Sequence, residues 1–120
     1  MRIELSKRFR FEAAHRLPNT PEGHKCRRLH GHSFEAEITV AGEVEEGSGW
    51  LMDFAAIQAA IAPLRATLDH NYLNEIEGLE NPTSELLAGW IWQRLLPALP
   101  GLAVVEIAET CSSRCVYRGG

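Results

Sequence analysis

The chain has 120 residues and a mass of 13.4 kDa, the size of one domain built around a single hydrophobic core. Its formal net charge of −4 and its pI near 5.7 argue against a nucleic-acid partner, because that kind of binding needs clustered Lys and Arg. No apolar run approaches the ~18 residues of a membrane span, and the N-terminus lacks a signal-peptide pattern, so we expect a cytoplasmic protein with a small-molecule partner and no membrane contact.

The first two predicted elements are strands separated by a long loop. Over residues 3–15 and again over residues 34–40, apolar and polar side chains alternate with the period of two that is typical of half-buried strands. Residues 17–29 contain two prolines, a glycine and many polar side chains, which fit neither a strand nor a helix. We interpret this segment as a functional loop.

Two helices should follow. Asp53 can cap a helix whose apolar positions recur at spacings of three and four, namely Phe54, Ile57, Ile61, Leu64 and Leu68. Pro63 inside this pattern predicts a kink or an early end. Residues 81–85 have the capping side chains and early proline of a second helix start, and its buried stripe is predicted to be Leu86, Leu87, Trp90, Ile91 and Leu95.

Two more strands close the chain, one containing Ala103, Val105 and Ile107 and a short one over residues 115–117. The order is ββααββ. We therefore predict an α+β domain over residues 1–120, with two helices on one face of a four-stranded antiparallel sheet.

Three histidines form a candidate metal site. His30 and His32 are two residues apart at the start of the second strand and point to one face, and His15 leaves the first strand from its inward face. Three neutral imidazoles with an open fourth position are the ligand set of a catalytic zinc, whereas a structural zinc is closed by four protein ligands. Each histidine taken alone could instead be a satisfied core or loop residue.

Cys26 is a candidate reactive thiol. It precedes His30 by four residues, and its neighbours Lys25, Arg27 and Arg28 favour a thiolate. The alternative is a small buried hydrophobic residue, which is our interpretation of Cys111 and Cys115.

Three further side chains each allow two interpretations, one functional and one structural. Asp69 and His70 are adjacent in a loop, where they are either an acid–base pair or a cap beside an unrelated histidine. Glu109 continues the face of Val105 and Ile107, and its buried carboxylate needs donors from the protein or from a ligand. His24 has no periodic partner and is interpreted as a plain loop residue.

These residues form motifs that resemble the 6-pyruvoyl-tetrahydropterin synthase superfamily, most closely its 6-carboxytetrahydropterin synthase branch of queuosine biosynthesis. The resemblance covers nearly the whole chain, and its motifs lie at residues 11–15, 26–32, 68–70, 81–85 and 109–111. The four-residue step from Cys26 to His30 is typical of the carboxy branch. Pyruvoyl synthases have two more residues there, and a folate-linked branch has Glu in place of the cysteine.

The resemblance implies a tunnelling fold, in which three subunits close their sheets into a barrel and two trimers stack. It implies that His15, His30 and His32 bind Zn²⁺, that Cys26 abstracts a proton, and that Asp69 and His70 relay protons with it. Glu109 would hold the pterin, and Thr83, Ser84 and Glu85 would border its pocket. Lys25, Arg27 and Arg28 are candidates for holding triphosphate.

The implied reaction converts 7,8-dihydroneopterin triphosphate into 6-carboxy-5,6,7,8-tetrahydropterin, acetaldehyde and triphosphate. Pyruvoyl synthesis by triphosphate elimination is an alternative on the same fold. A cupin-like metal barrel is disfavoured, since Glu35 should point away from His32. The remaining alternative is a non-catalytic binding module that zinc stabilises.

Overall fold

The computed structural model describes residues 1–109 and 112–120, which form one sheet and two helices. The elements in chain order are β1 (Arg2–His15), β2 (His30–Glu43), α1 (Phe54–Leu68), β3 (Asn71–Tyr72), α2 (Ser84–Leu95), β4 (Leu102–Ala108) and β5 (Arg114–Tyr117). The sheet has the order β3-β1-β2-β4-β5 and is antiparallel except for the pairing of β1 with β3. The predicted α+β architecture is therefore confirmed, with one short parallel strand added.

The alternating strands bury the faces that their periodicity predicts. Phe9, Phe11, Phe34 and Ile38 lie in a core that is completed by the apolar stripes of both helices. Helix α1 packs on β1, and α2 packs on β4 and β5. Both helices thus cover the same face of the sheet, as expected for this class of fold.

Asp53 caps α1 as predicted, and its carboxylate accepts a hydrogen bond from the Ala55 N–H at 2.9 Å. The early end at Pro63 is wrong, because α1 continues to Leu68. Two interactions keep this last turn helical: Leu68 is fully buried, and the Thr67 hydroxyl donates to the Pro63 carbonyl at 3.1 Å. Core burial outweighs the one backbone hydrogen bond that proline removes.

One apolar position predicted for α1 and one residue of the predicted buried stripe of α2 are exposed. Phe54 and Leu86 each retain 52% of their accessible surface, and each lies at the start of its helix. The same first turns each bury another apolar residue, Ile57 in α1 and Leu87 in α2, so Phe54 and Leu86 lie on the solvent-facing side of their turns. Within the described residues, neither helix is long and apolar enough to cross a lipid bilayer.

The helix-free face and the edges of the sheet differ from the core. Ion pairs line that face, including Arg8 with Glu37 at 2.8 Å and Arg10 with Glu35 at 3.1 Å. Strand β3 pairs with β1 at only two positions, so most of the outer edge of β1 has no partner strand among the described residues. The short edge strand β5 is open on its other side, again within that part of the chain.

Candidate active site

The register of β1 and β2 brings His15, His30 and His32 together at one end of the sheet. His15 pairs with His30 across the two strands, and Ala13 pairs with His32. All three imidazoles lie on the helix-covered face, where one nitrogen of each lies within 4.8 Å of the others. The alternation of strand residues therefore produces the cluster that the sequence predicts.

Two backbone carbonyls fix the tautomers of two of these rings. The Nδ1 of His15 is 2.9 Å from the Pro82 carbonyl oxygen, and the Nδ1 of His30 is 2.7 Å from that of Arg28. A carbonyl oxygen only accepts, so each Nδ1 carries the proton and each Nε2 keeps its lone pair. A ring nitrogen that donates to a backbone carbonyl while the other nitrogen stays free to bind is typical of metal-binding histidines.

The Nε2 of His15 is a buried acceptor in need of a partner. His15 is 1% exposed, and its Nε2 makes no hydrogen bond with the described residues. Burial lowers the pKa of His15, so the ring stays neutral at physiological pH. A buried lone pair without a donor is costly, and a metal ion would satisfy it. The donor set and its tautomers fit a zinc ion with an open coordination position.

Glu109 lies next to the histidines, immediately after β4. Its Oε1 accepts a hydrogen bond from the Ser84 hydroxyl at 2.7 Å, and its Oε2 is 3.8 Å from His32 Nε2. The Glu109 side chain is 27% exposed. The carboxylate predicted on the apolar face is thus present, and Ser84 supplies one of the donors that its burial requires.

A cavity of about 490 Å³ opens beside this carboxylate. Its lining residues are Ser84, Glu85, Ile107, Glu109, Ser113, Arg114 and Cys115. Of the predicted border segment, Thr83 uses its hydroxyl to cap α2 at the Leu86 N–H, while Ser84 and Glu85 face the cavity. Cys115 is half-buried, and desolvation raises the pKa of its thiol. Cys111 lies outside the described residues.

Cys26 sits in a short 3-10 turn (Lys25–Arg27) in the loop that precedes His30. Its side chain is half-buried, and its backbone is held at both ends. The Leu17 N–H donates to the Cys26 carbonyl at 2.7 Å, and the Cys26 N–H donates to the ring Nδ1 of His24 at 3.1 Å. The loop is therefore ordered by hydrogen bonds, although it has no regular secondary structure beyond this turn.

Asp69 and His70 lie on the other side of β1 and are anchored to Glu12. The Glu12 N–H donates to Asp69 Oδ1 at 2.8 Å, and the His70 N–H donates to the Glu12 carbonyl at 2.6 Å. The first of these bonds is the main reason why the pKa of Asp69 is lowered, with Arg65 at 3.3 Å adding to it. His70 adopts φ 58°, and its ring is 73% exposed at 3.8 Å from Asp69.

The structure brings some of the predicted residues into contact, whereas others have no described contact with one another. His15, His30, His32, Ser84 and Glu109 form one cluster. Within the described parts of the chain, no hydrogen bond or ion pair joins Cys26 to Asp69 or His70. Lys25, Arg27 and Arg28 are exposed, and the Arg27 guanidinium donates to the Thr20 carbonyl at 2.8 Å. The predicted triphosphate contacts stay predictions.

Sequence reasoning missed the carbonyls of Pro82 and Arg28 and the ring of His24. A backbone carbonyl carries no sequence signal, since every residue has one. The position of His24 two residues before Cys26 is the signal that could have identified it, because a side chain at that position can cap the turn.

The chain is similar in sequence and in fold to known pterin synthases. The family model described as 6-pyruvoyl tetrahydropterin synthase matches residues 4–120. The chain is 50% identical to the 6-carboxy-5,6,7,8-tetrahydropterin synthase of Synechocystis over 94% of this chain and 91% of that protein. It is 33% identical to the Bacillus subtilis protein of the same name over 97% and 85%. The solved structure of Caenorhabditis elegans 6-pyruvoyl tetrahydropterin synthase superposes with a TM-score of 0.92 at 26% identity, over 100% of this chain and 97% of that one.

Proposed function

Because this chain belongs to the 6-pyruvoyl tetrahydropterin synthase family and is an enzyme, we propose that it acts on 7,8-dihydroneopterin triphosphate with zinc as its cofactor. The proposed products are 6-carboxy-5,6,7,8-tetrahydropterin, acetaldehyde and triphosphate, a step of queuosine biosynthesis. The 50% identity to a relative named for this product, over nearly the whole chain, favours the carboxy product over the pyruvoyl one.

The observation that carries the proposal is the three-histidine cluster with its unsatisfied buried nitrogen. His15, His30 and His32 would hold the zinc, and the Pro82 and Arg28 carbonyls would keep two of the rings in the ligating tautomer. When bound, zinc would supply Lewis-acid chemistry that makes the hydroxyl groups of the substrate side chain more acidic.

Glu109 would hold the pterin ring. A pterin presents adjacent ring and amino N–H groups, and a carboxylate is the acceptor that pairs with two parallel donors. Glu109 borders the cavity beside the histidines, and its Oε2 lies 3.8 Å from His32. A ring bound there would therefore direct its side chain toward the metal centre.

Cys26, Asp69 and His70 would move the protons. In this proposal the Cys26 thiolate removes a proton from a side-chain carbon of the substrate, and His70 exchanges protons with the same region. Asp69 would orient and charge-stabilise His70, from which it lies 3.8 Å. The exposed cations Lys25, Arg27 and Arg28, in the same loop as Cys26, would hold the triphosphate.

Among the described residues no hydrogen bond or ion pair joins Cys26 to His70, as expected for a site that two subunits share. His70 is held on β1 yet exposes most of its ring, as expected for a side chain that serves a neighbouring subunit. Among residues 1–109 and 112–120, the edges of β1 and β5 offer unpaired backbone groups through which neighbouring sheets can join. We therefore propose a homo-oligomer, a dimer of trimers, with the active site at the subunit contact.

The decisive experiment incubates zinc-loaded protein with 7,8-dihydroneopterin triphosphate and measures the pterin product by mass spectrometry. Acetaldehyde together with 6-carboxytetrahydropterin would support the proposal. The mass of 6-pyruvoyltetrahydropterin would assign triphosphate elimination instead. An unchanged substrate, combined with unfolding on zinc removal, would favour a zinc-stabilised binding module.

A further inference from the structure

The loop that carries Cys26 contains a histidine to which the proposed mechanism gives no task. His24 Nδ1 accepts a hydrogen bond from the Cys26 N–H at 3.1 Å, which caps the 3-10 turn Lys25–Arg27. To accept this bond, Nδ1 must carry a lone pair, so the ring is neutral with its proton on Nε2. The ring is tied directly to the backbone of the proposed base.

The rest of the turn shows what this cap controls. The His24 carbonyl accepts from the Arg27 N–H at 3.1 Å, and the Lys25 carbonyl accepts from the Arg28 N–H at 3.2 Å. On the far side, the Cys26 carbonyl is bound by the Leu17 N–H at 2.7 Å. The backbone of Cys26 is thus held between the His24 side chain on one side and the segment that follows β1 on the other.

The same turn also reaches the metal centre. The Arg28 carbonyl, one residue past the turn, accepts from His30 Nδ1 at 2.7 Å. Leu17, which holds the Cys26 carbonyl, is two residues beyond His15. The turn therefore sets the position of Cys26 relative to two of the three histidines.

We propose that His24 is a positioning residue that fixes the Cys26 turn against the three-histidine centre. This inference rests on the proposed function only in its consequence for turnover, since the hydrogen bond itself does not depend on the reaction. His24 does not touch substrate in this proposal. It acts by keeping the turn closed, so that the thiol is presented at one place instead of several.

The test compares His24→Ala with His24→Asn and with Glu22→Ala. Asparagine is among the best capping residues and can replace the ring as acceptor, whereas alanine cannot. Glu22 is an exposed residue of the same loop whose side chain makes no hydrogen bond or ion pair among the described residues, so it is the matched control.

Two quantities are measured on the zinc-loaded protein: hydrogen exchange of the Cys26 amide, and kcat and KM with 7,8-dihydroneopterin triphosphate. Losing one cap should open the turn about tenfold more often, so His24→Ala should exchange about tenfold faster. Its kcat scales with the fraction of turns that are closed, so it should fall measurably but by no more than about tenfold, while KM changes less than about twofold. His24→Asn should restore both quantities, and Glu22→Ala should match wild type.

Unchanged exchange of the Cys26 amide in His24→Ala would overturn the inference. So would a kcat loss that asparagine fails to rescue while it restores exchange, because the ring would then have a role other than capping. If wild-type protein shows no turnover, or Cys26→Ala retains it, the proposed function fails instead. In that case the hydrogen-exchange data still show whether His24 keeps the Cys26 turn closed.

Discussion

The hydrogen bond between Ser84 and Glu109 allows the strength of pterin binding to be predicted. At 2.7 Å it is short, and it joins a hydroxyl to a carboxylate that is 27% exposed. Hydrogen bonds to charged groups contribute about 1.5–3 kcal/mol, and partial exposure favours the lower end of that range. Ser84→Ala should therefore weaken the binding of 7,8-dihydroneopterin by about tenfold, since 1.4 kcal/mol corresponds to a factor of ten.

Glu109→Gln should have a larger effect, of about one hundredfold. The amide keeps the size of the side chain, but it replaces one acceptor oxygen by an N–H₂ group that faces the donors of the pterin. Loss of the charge and of one acceptor together corresponds to about 3 kcal/mol. Fluorescence titration with the unphosphorylated pterin measures both variants without interference from turnover or from triphosphate contacts.

The double variant tests the physical reasoning. If Ser84 acts through the charge of Glu109, Ser84→Ala should have little further effect in the Glu109→Gln protein. Ser113→Ala is the control, because Ser113 lines the same cavity and has no described bond to Glu109. A tenfold effect of Ser84→Ala in both backgrounds would refute the reasoning and would indicate a direct contact between Ser84 and the ligand.

The zinc proposal predicts about one zinc ion per chain in the wild type. His32→Ala should lose this ion, because a three-histidine site has no spare ligand. Cys26→Ala should keep the zinc and lose turnover. Metal analysis of the two variants decides this, and stoichiometric zinc in His32→Ala would contradict it. Co-refolding Cys26→Ala with His70→Ala should restore up to about a quarter of wild-type activity, since random mixing leaves about one shared site in four intact. Mixed oligomers no more active than their parents would place both residues in one subunit. Asp69→Asn should make the free energy of unfolding less dependent on pH in the acid range. The hydrogen bond from the Glu12 N–H lowers the pKa of Asp69 in the folded state. The stabilisation that Asp69 provides is therefore present above its unfolded-state pKa and is lost as pH falls through its folded-state pKa. Thermal melts across acid pH measure this, and identical curves for variant and wild type would show that Asp69 contributes nothing.

The parts of the site that lie on strands could be predicted from the sequence. A period of two assigns every residue of a strand to a face, so the parity of His15, His30 and His32 was sufficient to place them on the buried side. Glu109 lies one residue past the end of β4, and its position followed in the same way from the face of Val105 and Ile107.

Contacts between distant segments could not be predicted. The Pro82 carbonyl meets His15 from 67 residues away, and strand β3 is two residues long, too short for any periodicity. Phe54 and Leu86 show a related limit, since both have helical spacing to buried residues and are nevertheless exposed. The positions of Cys26 and His70 relative to β1 likewise depend on tertiary contacts, which the pattern of neighbouring residues in the sequence does not predict.

The pairing of His15 with His30 across β1 and β2 brings together the two ends of the loop between them. Residues 16–29 leave the sheet after His15 and return to it at His30, so the separation of these two histidines is set by the register of the strands and not by the length of the loop. Doubling such a loop costs only about 0.6 kcal/mol in closure entropy. Evolution could therefore lengthen, shorten or rewrite the segment that carries Cys26 while the histidine cluster stays in place. Changes confined to this one loop would thus alter the residues next to the three histidines without moving the histidines themselves.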